Sequence, residues 1–197
     1  MNAPVVPKSG MNVAEFLAWA ERQPRGRFEL VDGAVVAMAP ERVRHSVVKF
    51  AVARALDDAV RAAKLPCIVF TDGPAVVIDN HKTREPDASV QCGIDVDLNS
   101  MTLEAPLIVV EVVSPTSERI DTGMKLADYF SVATIQHYLL VYPDLDMRLI
   151  VHHRRNENRI ETRIARPGED IALTPPGFSV PVNALLGPST LGGREAP

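Results

Sequence analysis

Two carboxylates in this 197-residue chain fall where an acidic residue is costly, and they are its first candidates for chemistry. Glu111 lies five positions into the apolar run 106–113, whose Ile and Val content predicts a strand buried on both faces. A carboxylate is retained in such a strand when it is paired, hydrogen-bonded or bound to a metal ion. Asp87 follows Pro86 and opens another β-type run, 24 positions before Glu111 (111 − 87).

Two carboxylates on neighbouring strands can share one hard cation. Mg²⁺ favours one or two carboxylates together with waters and the phosphate of a substrate. Asp87 and Glu111 therefore predict a site for Mg²⁺ (or Mn²⁺) that acts on a phosphate ester. The structural alternative is an ion pair between Glu111 and an arginine, and the residues by themselves leave both interpretations open.

A lysine supplies the third candidate group. Asp121, Lys125 and Tyr129 are spaced i, i+4 and i+8, so they share one face of a helix predicted from about residue 121 to 130. An ammonium group near a metal orients the attacking water and stabilises charge that develops on phosphorus oxygens. The alternative is an Asp121–Lys125 ion pair on the helix surface, which stabilises a helix by about 0.2–0.5 kcal/mol.

His45 lies near the start of the strongest predicted helix, residues 41–64, on the edge of its apolar stripe. A histidine in that position is more often structural, and the functional alternative is a phosphate contact or proton transfer. The most basic stretch comes late in the chain, where a DNA-backbone contact and a solvated hairpin are both open interpretations. Its arginines are Arg148, Arg154, Arg155, Arg159, Arg163 and Arg166.

The elements that must position these groups form a mixed set. Asn12 with Glu15 predicts a capping box that starts a short helix. Asp32-Gly33 predicts a tight turn between the β-type runs 27–31 and 34–38. Further strands are predicted at 67–70, 75–79, 87–91, 106–113, 137–142 and 178–182, and a hairpin at 147–153 and 159–165. The sum is an α/β fold in which helices flank a mixed central β-sheet, preceded by the N-terminal hairpin.

Composition bounds the remaining possibilities. Lys and Arg number 21 against 25 Asp and Glu, which gives a net charge of −4 and argues against a protein that coats nucleic acid through bulk positive charge. Hydrophobic residues make up 46% of the chain, so wholesale disorder is excluded. Cys67 and Cys92 are too few for a disulfide framework or a zinc site, and each is expected to fill a strand face.

The candidate residues, taken in order, resemble the Uma family, a bacterial family once described only as a domain of unknown function. That family belongs to the PD-(D/E)XK nuclease superfamily, which has the restriction-endonuclease-like fold. The resemblance extends from about residue 15 to 186, and the run 111–117 followed by the spaced helix residues is its most specific part. The matching residues are 28–33 (Phe-Glu-Leu-Val-Asp-Gly), His45, Pro86-Asp87, 111–117 (Glu-Val-Val-Ser-Pro-Thr-Ser), Asp121, Lys125 and Tyr129.

The resemblance implies a role for each matched position. Asp87 and Glu111 would be metal ligands together with the backbone carbonyl of Val112, and Glu29 would help to hold the metal or its waters. The superfamily pattern has a lysine two residues after the glutamate, where this chain has Val113. In the Uma pattern that function moves to the next helix, which assigns it to Lys125. His45, Asp121 and Tyr129 are auxiliary candidates.

A second departure from the family follows that helix. The family has a strand resembling Tyr-Trp-Leu-Val-Asp-Pro, where this chain has Tyr-Leu-Leu-Val-Tyr-Pro at 138–143. We interpret the replaced positions as packing and turn positions, outside the implied metal site.

These observations predict a metal-dependent endonuclease that hydrolyses DNA phosphodiester bonds, with double-stranded DNA as its partner. A nuclease fold kept for binding DNA or a protein, and a hydrolase of another phosphate ester, are the alternatives. We expect an arm at residues 1–11, one restriction-endonuclease-like domain at 12–186 and a tail at 187–197. A two-fold homodimer is expected because it cuts both strands most simply. No membrane segment is predicted, and the expected location is the cytoplasm.

Overall fold

The computed structural model describes residues 10–93, 95–114, 120–144 and 147–188, with the side chains of residues 120 and 121 excepted. Four helices and thirteen strands follow one another within these ranges. They are α1 (Val13–Ala20), β1 (Phe28–Val31), β2 (Ala34–Ala37), α2 (Val43–Ala62), β3 (Cys67–Thr71), β4 (Ala75–Asp79), β5 (Lys82–Arg84), β6 (Ala88–Cys92), β7 (Thr102–Leu103), β8 (Pro106–Val112), α3 (Lys125–Ser131), β9 (His137–Tyr142), β10 (Leu149–Asn156), β11 (Arg159–Ala165), β12 (Asp170–Leu173), β13 (Phe178–Pro181) and α4 (Val182–Leu186). A π-helical turn, Ile120–Met124, leads directly into α3.

Six of these strands form the central sheet, in the order β11-β10-β9-β8-β6-β3. β8 and β9 run parallel, and the other neighbours are antiparallel, so the sheet is mixed as predicted. The parallel pair is possible because the connection from β8 to β9 carries the π-helical turn and α3 across the sheet. The predicted α/β class with helices flanking a central sheet is confirmed.

Each face of this sheet is covered by a different set of apolar side chains. On one face, Val52 and Leu56 of α2 belong to the cluster that contains Val110 of β8. On the other face, Tyr129 of α3 belongs to the cluster that contains Val109. Burial from both sides explains why β8 reads as an almost continuous apolar run instead of an alternating one.

A smaller apolar cluster joins the N-terminal helix to the β1–β2 hairpin. Trp19 of α1 meets the ring of Phe28 edge-on, with ring centroids 4.9 Å apart. The predicted capping box is present, since Asn12 accepts from the Glu15 N–H and Glu15 accepts from the Asn12 N–H, each at 2.9 Å. The Asp32-Gly33 turn is also as predicted, with φ of 49° and 77° at its two residues.

Three local features differ from the predicted elements. Residues 82–84 lie between two predicted strands, but they form β5 and pair with β4, and the Arg84 side chain is buried by ion pairing instead of by apolar contacts. β12 was not expected either, because its short apolar alternation lies in a stretch rich in Pro and Gly. The helix expected from residue 121 begins as the π-helical turn before it continues as α3.

The two cysteines form a disulfide, which corrects the expectation that each fills a strand face separately. Cys67 and Cys92 are direct partners in the antiparallel register of β3 and β6, with Cα atoms 4.0 Å apart. The pairing depends on register, because β3 and β6, which are separated along the chain by β4 and β5, must align at one residue pair. No helix among the described residues combines the length and the apolar character that crossing a membrane requires.

Candidate active site

The candidate site is built where β6 begins and β8 ends. Ala88 of β6 pairs with Val110 of β8, so one residue further along both strands Asp87 and Glu111 become neighbours. The Val112 N–H donates to Oδ2 of Asp87 at 2.7 Å, which fixes the carboxylate against the β8 backbone. The two residues are 5% and 4% exposed, so both acids are removed from bulk water and both need compensating partners.

Asp87 finds its partners on α2. Its Oδ1 lies 3.2 Å from Nε2 of His45 and 3.7 Å from the Lys49 ammonium, and these two residues are one helical turn apart. Burial by itself would raise the pKa of Asp87, but His45, the Val112 N–H and Lys49 together hold it below its ordinary value. The carboxylate is therefore kept in its ionised, metal-binding form.

Glu111 finds its partners on α3. The Lys125 ammonium lies 2.8 Å from Oε1 of Glu111, and the Tyr129 hydroxyl donates to the same oxygen at 2.5 Å. Lys125 and Tyr129 are spaced i, i+4, so one face of α3 brings both to the carboxylate, as the sequence spacing suggested. Burial, followed by the negative charge of Glu111, raises the pKa of Tyr129 well above its ordinary value, so the phenol stays a donor.

A third buried acid, Glu29, is held by an arginine and by a backbone N–H. Arg84 donates to Oε2 of Glu29 at 3.0 Å, and the backbone N–H of Glu85 donates to Oε1 at 3.0 Å. The same guanidinium also contacts Asp128 at 2.5 Å, and Arg84 is only 2% exposed. Both oxygens of Glu29 thus have protein partners in this structure, and its implied support of a metal stays a prediction.

Lys49 lies beside Asp87, and the sequence did not single it out. Its ammonium lies 2.5 Å from Glu41 and 2.7 Å from Asp72, in addition to its contact with Asp87. Burial by itself would lower the pKa of Lys49, but these carboxylates outweigh it and raise the pKa, which keeps the lysine charged. In sequence, Lys49 is one more polar residue off the apolar stripe of α2, so no local signal marks it.

Arg27 extends this ion cluster away from the sheet. Its guanidinium contacts Glu41 at 2.5 Å, Asp72 at 2.6 Å and Glu85 at 2.7 Å. Burial by itself would lower the pKa of Arg27, but its carboxylate partners raise it above the ordinary value. Arg27 and Lys49 therefore share the carboxylates of Glu41 and Asp72 beside Asp87.

Glu41, His45 and Asp87 offer three ligand atoms within 4.8 Å of one another, and they are a second grouping with metal-ligand chemistry. The ammonium of Lys49 already contacts both Glu41 and Asp87. In this structure the positive charge between these acids is thus supplied by a lysine, which favours an ion-pair role for Glu41.

Two predicted features fall partly outside the described residues. The motif 111–117 is described as far as Ser114, and residues 115–119 lie outside, as does the side chain of Asp121.

The basic stretch lies within the described residues. For Arg155 the structure corrects both interpretations, the DNA-backbone contact and the solvated hairpin. Arg155 donates to the carbonyl of Phe130 at 2.7 Å and lies over its ring, so this arginine stabilises the C-terminal end of α3.

Comparison with known proteins identifies the family. The family model Uma2, described as "Putative restriction endonuclease", matches residues 13–183. The chain belongs to the Uma2 family. An "Uncharacterized protein" of Synechocystis sp. is 28% identical to this Uma2 chain over 165 residues, which cover 79% of the chain and 80% of the relative.

A solved structure shares the fold of this Uma2 protein. It is a crystal structure described as "a putative nuclease belonging to DUF820" from Anabaena variabilis, with a TM-score of 0.68 and 18% identity. The match covers 90% of this chain and 98% of the other. The Uma2 protein therefore has the restriction-endonuclease-like fold, and the family resemblance inferred from its motifs is confirmed.

The fold places Val113 of the Uma2 protein in the apolar cluster with Tyr129 and Tyr138. Residues 111 and 113 project from the same face of the chain, since side chains alternate along a strand. A lysine at 113 would thus lie beside Glu111, but that space is apolar here, and Lys125 of the neighbouring helix supplies the ammonium at 2.8 Å instead.

Proposed function

We propose that this Uma2 protein is an endonuclease that hydrolyses DNA phosphodiester bonds with Mg²⁺ (or Mn²⁺). The observation that carries the proposal is the meeting of Asp87 and Glu111 at adjoining strand ends, with Lys125 2.8 Å from Glu111. The family description and that of the Anabaena protein support nuclease-like chemistry at the coarser level.

The donor set fits the proposed cation. Asp87 and Glu111 supply carboxylate oxygens and Val112 supplies a backbone carbonyl, which are the hard ligands that Mg²⁺ and Mn²⁺ prefer. When bound, such a cation supplies Lewis-acid polarisation of a phosphate oxygen and lowers the pKa of a water. The Val112 N–H donates to Oδ2 of Asp87, and Oδ1 of the same carboxylate lies near His45 and Lys49.

Lys125 is the group that we assign to the charge developing on the phosphate. The ammonium is held by Glu111, so it is fixed beside the scissile bond before substrate arrives, and preorganised charge is more effective than charge that must reorganise. Tyr129 donates to the same oxygen and acts as a positioning residue for Glu111. Its O–H keeps the carboxylate, and with it the Lys125 ammonium, in place.

His45 and Glu29 have supporting roles in the proposal. His45 contacts Asp87 and is placed to orient that carboxylate or to contact a phosphate. Glu29 is held by Arg84 and would act on the metal's waters if Arg84 released its oxygen. Asp121 stays an auxiliary candidate because it belongs to the residue pattern that resembles the family.

The proposed substrate is double-stranded DNA, bound weakly without the cation. The net charge of −4 implies that the protein does not bind DNA strongly without sequence preference. The carboxylates of the site repel phosphate until a divalent cation neutralises them. Binding should therefore depend on the cation and on a few arginines.

One observation favours the second candidate function, a nuclease fold that binds DNA or a protein without cleaving. Lys125 and Tyr129 both already bind Oε1 of Glu111, so this acid is neutralised without any metal. A protein that uses these contacts for stability alone would neither bind Mn²⁺ at Asp87 nor cut DNA.

Cleavage of plasmid and oligonucleotide DNA in Mg²⁺ or Mn²⁺ tests the proposal. We expect Asp87→Asn and Glu111→Gln to lower the cleavage rate more than about a hundredfold and to lose Mn²⁺ binding by calorimetry. Lys125→Met should lower the rate and retain Mn²⁺ binding. Glu104→Gln, an exposed acid outside the site, is the matched control.

Two outcomes would overturn it. Cleavage that survives in Asp87→Asn and Glu111→Gln would remove these residues from the site. A folded wild-type protein that neither binds Mn²⁺ nor cuts DNA or RNA would leave the binding module as the function.

We further propose that residues 12–186 act as one domain, between an arm at 1–11 and a tail at 187–197, and that the protein works in the cytoplasm. In a reducing cytoplasm Cys67 and Cys92 would be held as thiols, since disulfides are rare there. β3 and β6 would then be joined by their backbone ladder alone.

A further inference from the structure

One edge of the central sheet is unusually open. β11 is the outermost strand, six of its seven residues are exposed, and no strand in the described part of the chain pairs with its outer side. Two of its exposed residues, Ile160 and Ile164, are large and apolar. An exposed edge of this kind is a template for another strand.

The hairpin determines which backbone groups point outward. Asn156 pairs with Arg159 around a two-residue turn, and such turns are flanked by a pair that exchanges both hydrogen bonds. Hydrogen-bonded and non-hydrogen-bonded pairs alternate along the ladder from that pair. Residues 159, 161, 163 and 165 therefore direct their backbone N–H and C=O groups to β10. The N–H and C=O groups of Ile160, Thr162 and Ile164 therefore face solvent.

The side chains of β11 are complementary to themselves in one register. If a second β11 runs antiparallel with a two-fold axis at Thr162, Ile160 faces Ile164 of the other copy. In the same register Glu161 faces Arg163 of the other copy, in the pair type that brings side chains closest. Aliphatic and opposite-charge pairs of this kind stabilise sheets.

The neighbouring registers are disfavoured by charge. An axis at Glu161 places that acid opposite its own copy and Arg159 opposite Arg163, and an axis at Arg163 places that arginine opposite itself. Like charges directly across a strand pair are destabilising. Side-chain charge thus favours the register centred on Thr162 over these two neighbouring registers.

We propose that a second copy of this chain pairs antiparallel with β11 around Thr162 and joins the two six-stranded sheets into one. Three residue pairs across the axis exchange two backbone hydrogen bonds each. This assigns a surface to the expected homodimer, and it does not depend on nuclease activity.

Existing contacts of the charged residues do not prevent this pairing. Glu161 lies 3.3 Å from Arg159, and Arg163 lies 2.9 Å from Glu169, and all four side chains are 42–74% exposed. Exposed ion pairs contribute little stability and exchange readily. A dimer contact that also removes Ile160 and Ile164 from water gains apolar burial in addition.

The other sheet edge fits less well. β3 has five residues without charge, and most of its side chains are half-buried in the two apolar clusters. It therefore offers no charge pair to select a register. The experiment below distinguishes a dimer formed through β3 from one formed through β11.

Charge exchange at β11 gives a sharp experiment. In sedimentation velocity over a range of protein concentrations, we expect the wild type to form a dimer. Glu161→Arg places two arginines opposite each other, and Arg163→Glu places two acids opposite, so each should raise the dimer dissociation constant at least about tenfold. The double variant E161R/R163E restores opposite charges and should restore the dimer.

Three measurements complete the design. Glu104→Arg is the control for the same charge change elsewhere, and it should leave the dimer intact. Thr162→Cys should cross-link two copies through position 162 under mild oxidation, identified by mass spectrometry of the linked peptide. Far-UV circular dichroism verifies that each variant is folded.

The proposal is overturned by a wild type that stays monomeric at all concentrations, or by a double variant that remains as weak as the single ones. It is equally overturned if Ile68→Arg on β3 dissociates the dimer while Glu161→Arg does not. DNA cleavage is measured separately, so a failed dimer and a failed nuclease give different results.

Discussion

The two central acids are stabilised in different ways, and this difference governs how each would respond to mutation. Asp87 is held by a backbone N–H and by two groups of α2, one of them a lysine that belongs to a larger ion cluster. Glu111 depends on Lys125 and Tyr129, which meet at one carboxylate oxygen. A change on α3 therefore affects one acid and leaves the other in place.

Tyr129→Phe tests this separation. It removes the O–H donor to Glu111 and keeps the buried ring, so we expect unfolding in urea to show a loss of about 1.5–3 kcal/mol, the range for a hydrogen bond to a charged group. Mn²⁺ binding should persist because Asp87 keeps its partners. Tyr142→Phe, a partly buried tyrosine at the end of β9, is the comparison variant. An unchanged stability in Tyr129→Phe would show that Lys125 alone fixes Glu111.

At the residue scale, the clearest signal in the sequence was a charge in a buried strand. Glu111 stood out because it interrupts an apolar strand, and the structure places it 2.8 Å from Lys125 and next to Asp87, one residue beyond the Ala88–Val110 pair. Lys49 gave no signal because its partners Asp72 and Asp87 lie 23 and 38 positions away (72 − 49; 87 − 49). Contacts over such separations depend on how the elements come together.

At the scale of elements, helices supply site residues in pairs. His45 and Lys49 come from consecutive turns of α2, and Lys125 and Tyr129 from consecutive turns of α3. Because the strands fix Asp87 and Glu111 side by side, each helix needs only to present one face to its own acid. The π-helical turn before α3 changes the phase of the helix, and the spacing from residue 121 no longer determines where that side chain points.

The capping box of α1 gives an element-scale prediction. Asn12→Ala removes the acceptor for the Glu15 N–H, so we expect a loss of about 1 kcal/mol in the free energy of unfolding. Asn12→Asp keeps an acceptor and should retain most of that stability. Thermal and urea denaturation measure both variants. An Asn12→Ala variant as stable as the wild type would mean that the cap contributes nothing and that the aromatic cluster alone holds α1.

At the scale of the whole molecule, a buried histidine pair joins the sheet to the C-terminal part of the chain. Nε2 of His137 lies 2.8 Å from the carbonyl of Pro175, and since a carbonyl can only accept, that nitrogen carries the proton. Nδ1 of His137 then accepts from Nε2 of His152 at 2.9 Å. In this arrangement His137 is neutral, with its proton on Nε2.

Burial lowers the pKa of His137 to about 4, and burial together with neighbouring positive groups lowers that of His152 to about 3. In the unfolded chain both titrate near 6.5. Above that pH both states are neutral, and as the pH falls from about 6.5 towards 4 the unfolded chain takes up protons that the folded chain does not. The folded state therefore loses stability in this window.

We predict that the free energy of unfolding falls between pH 6.5 and 4, with His137 contributing on the order of 3 kcal/mol. His137→Gln keeps a donor to Pro175 and does not titrate, so its stability should fall less steeply over the same range. His81→Gln, an exposed histidine, should keep the wild-type slope. Urea unfolding at half-unit pH steps provides the curves, and parallel curves for wild type and His137→Gln would contradict the prediction.

The sequence by itself determined the α/β class, the hairpin, the two-sided burial of β8 and the choice of Asp87, Glu111 and Lys125 as candidates. These are local properties, since apolar periodicity, turn chemistry and a charge in an apolar run are each contained in a short window. The tertiary structure decided which groups meet. It assigned Arg84 to Glu29, joined Cys67 to Cys92 and placed Lys49 beside Asp87, because such pairs depend on sheet register and helix docking across many intervening residues.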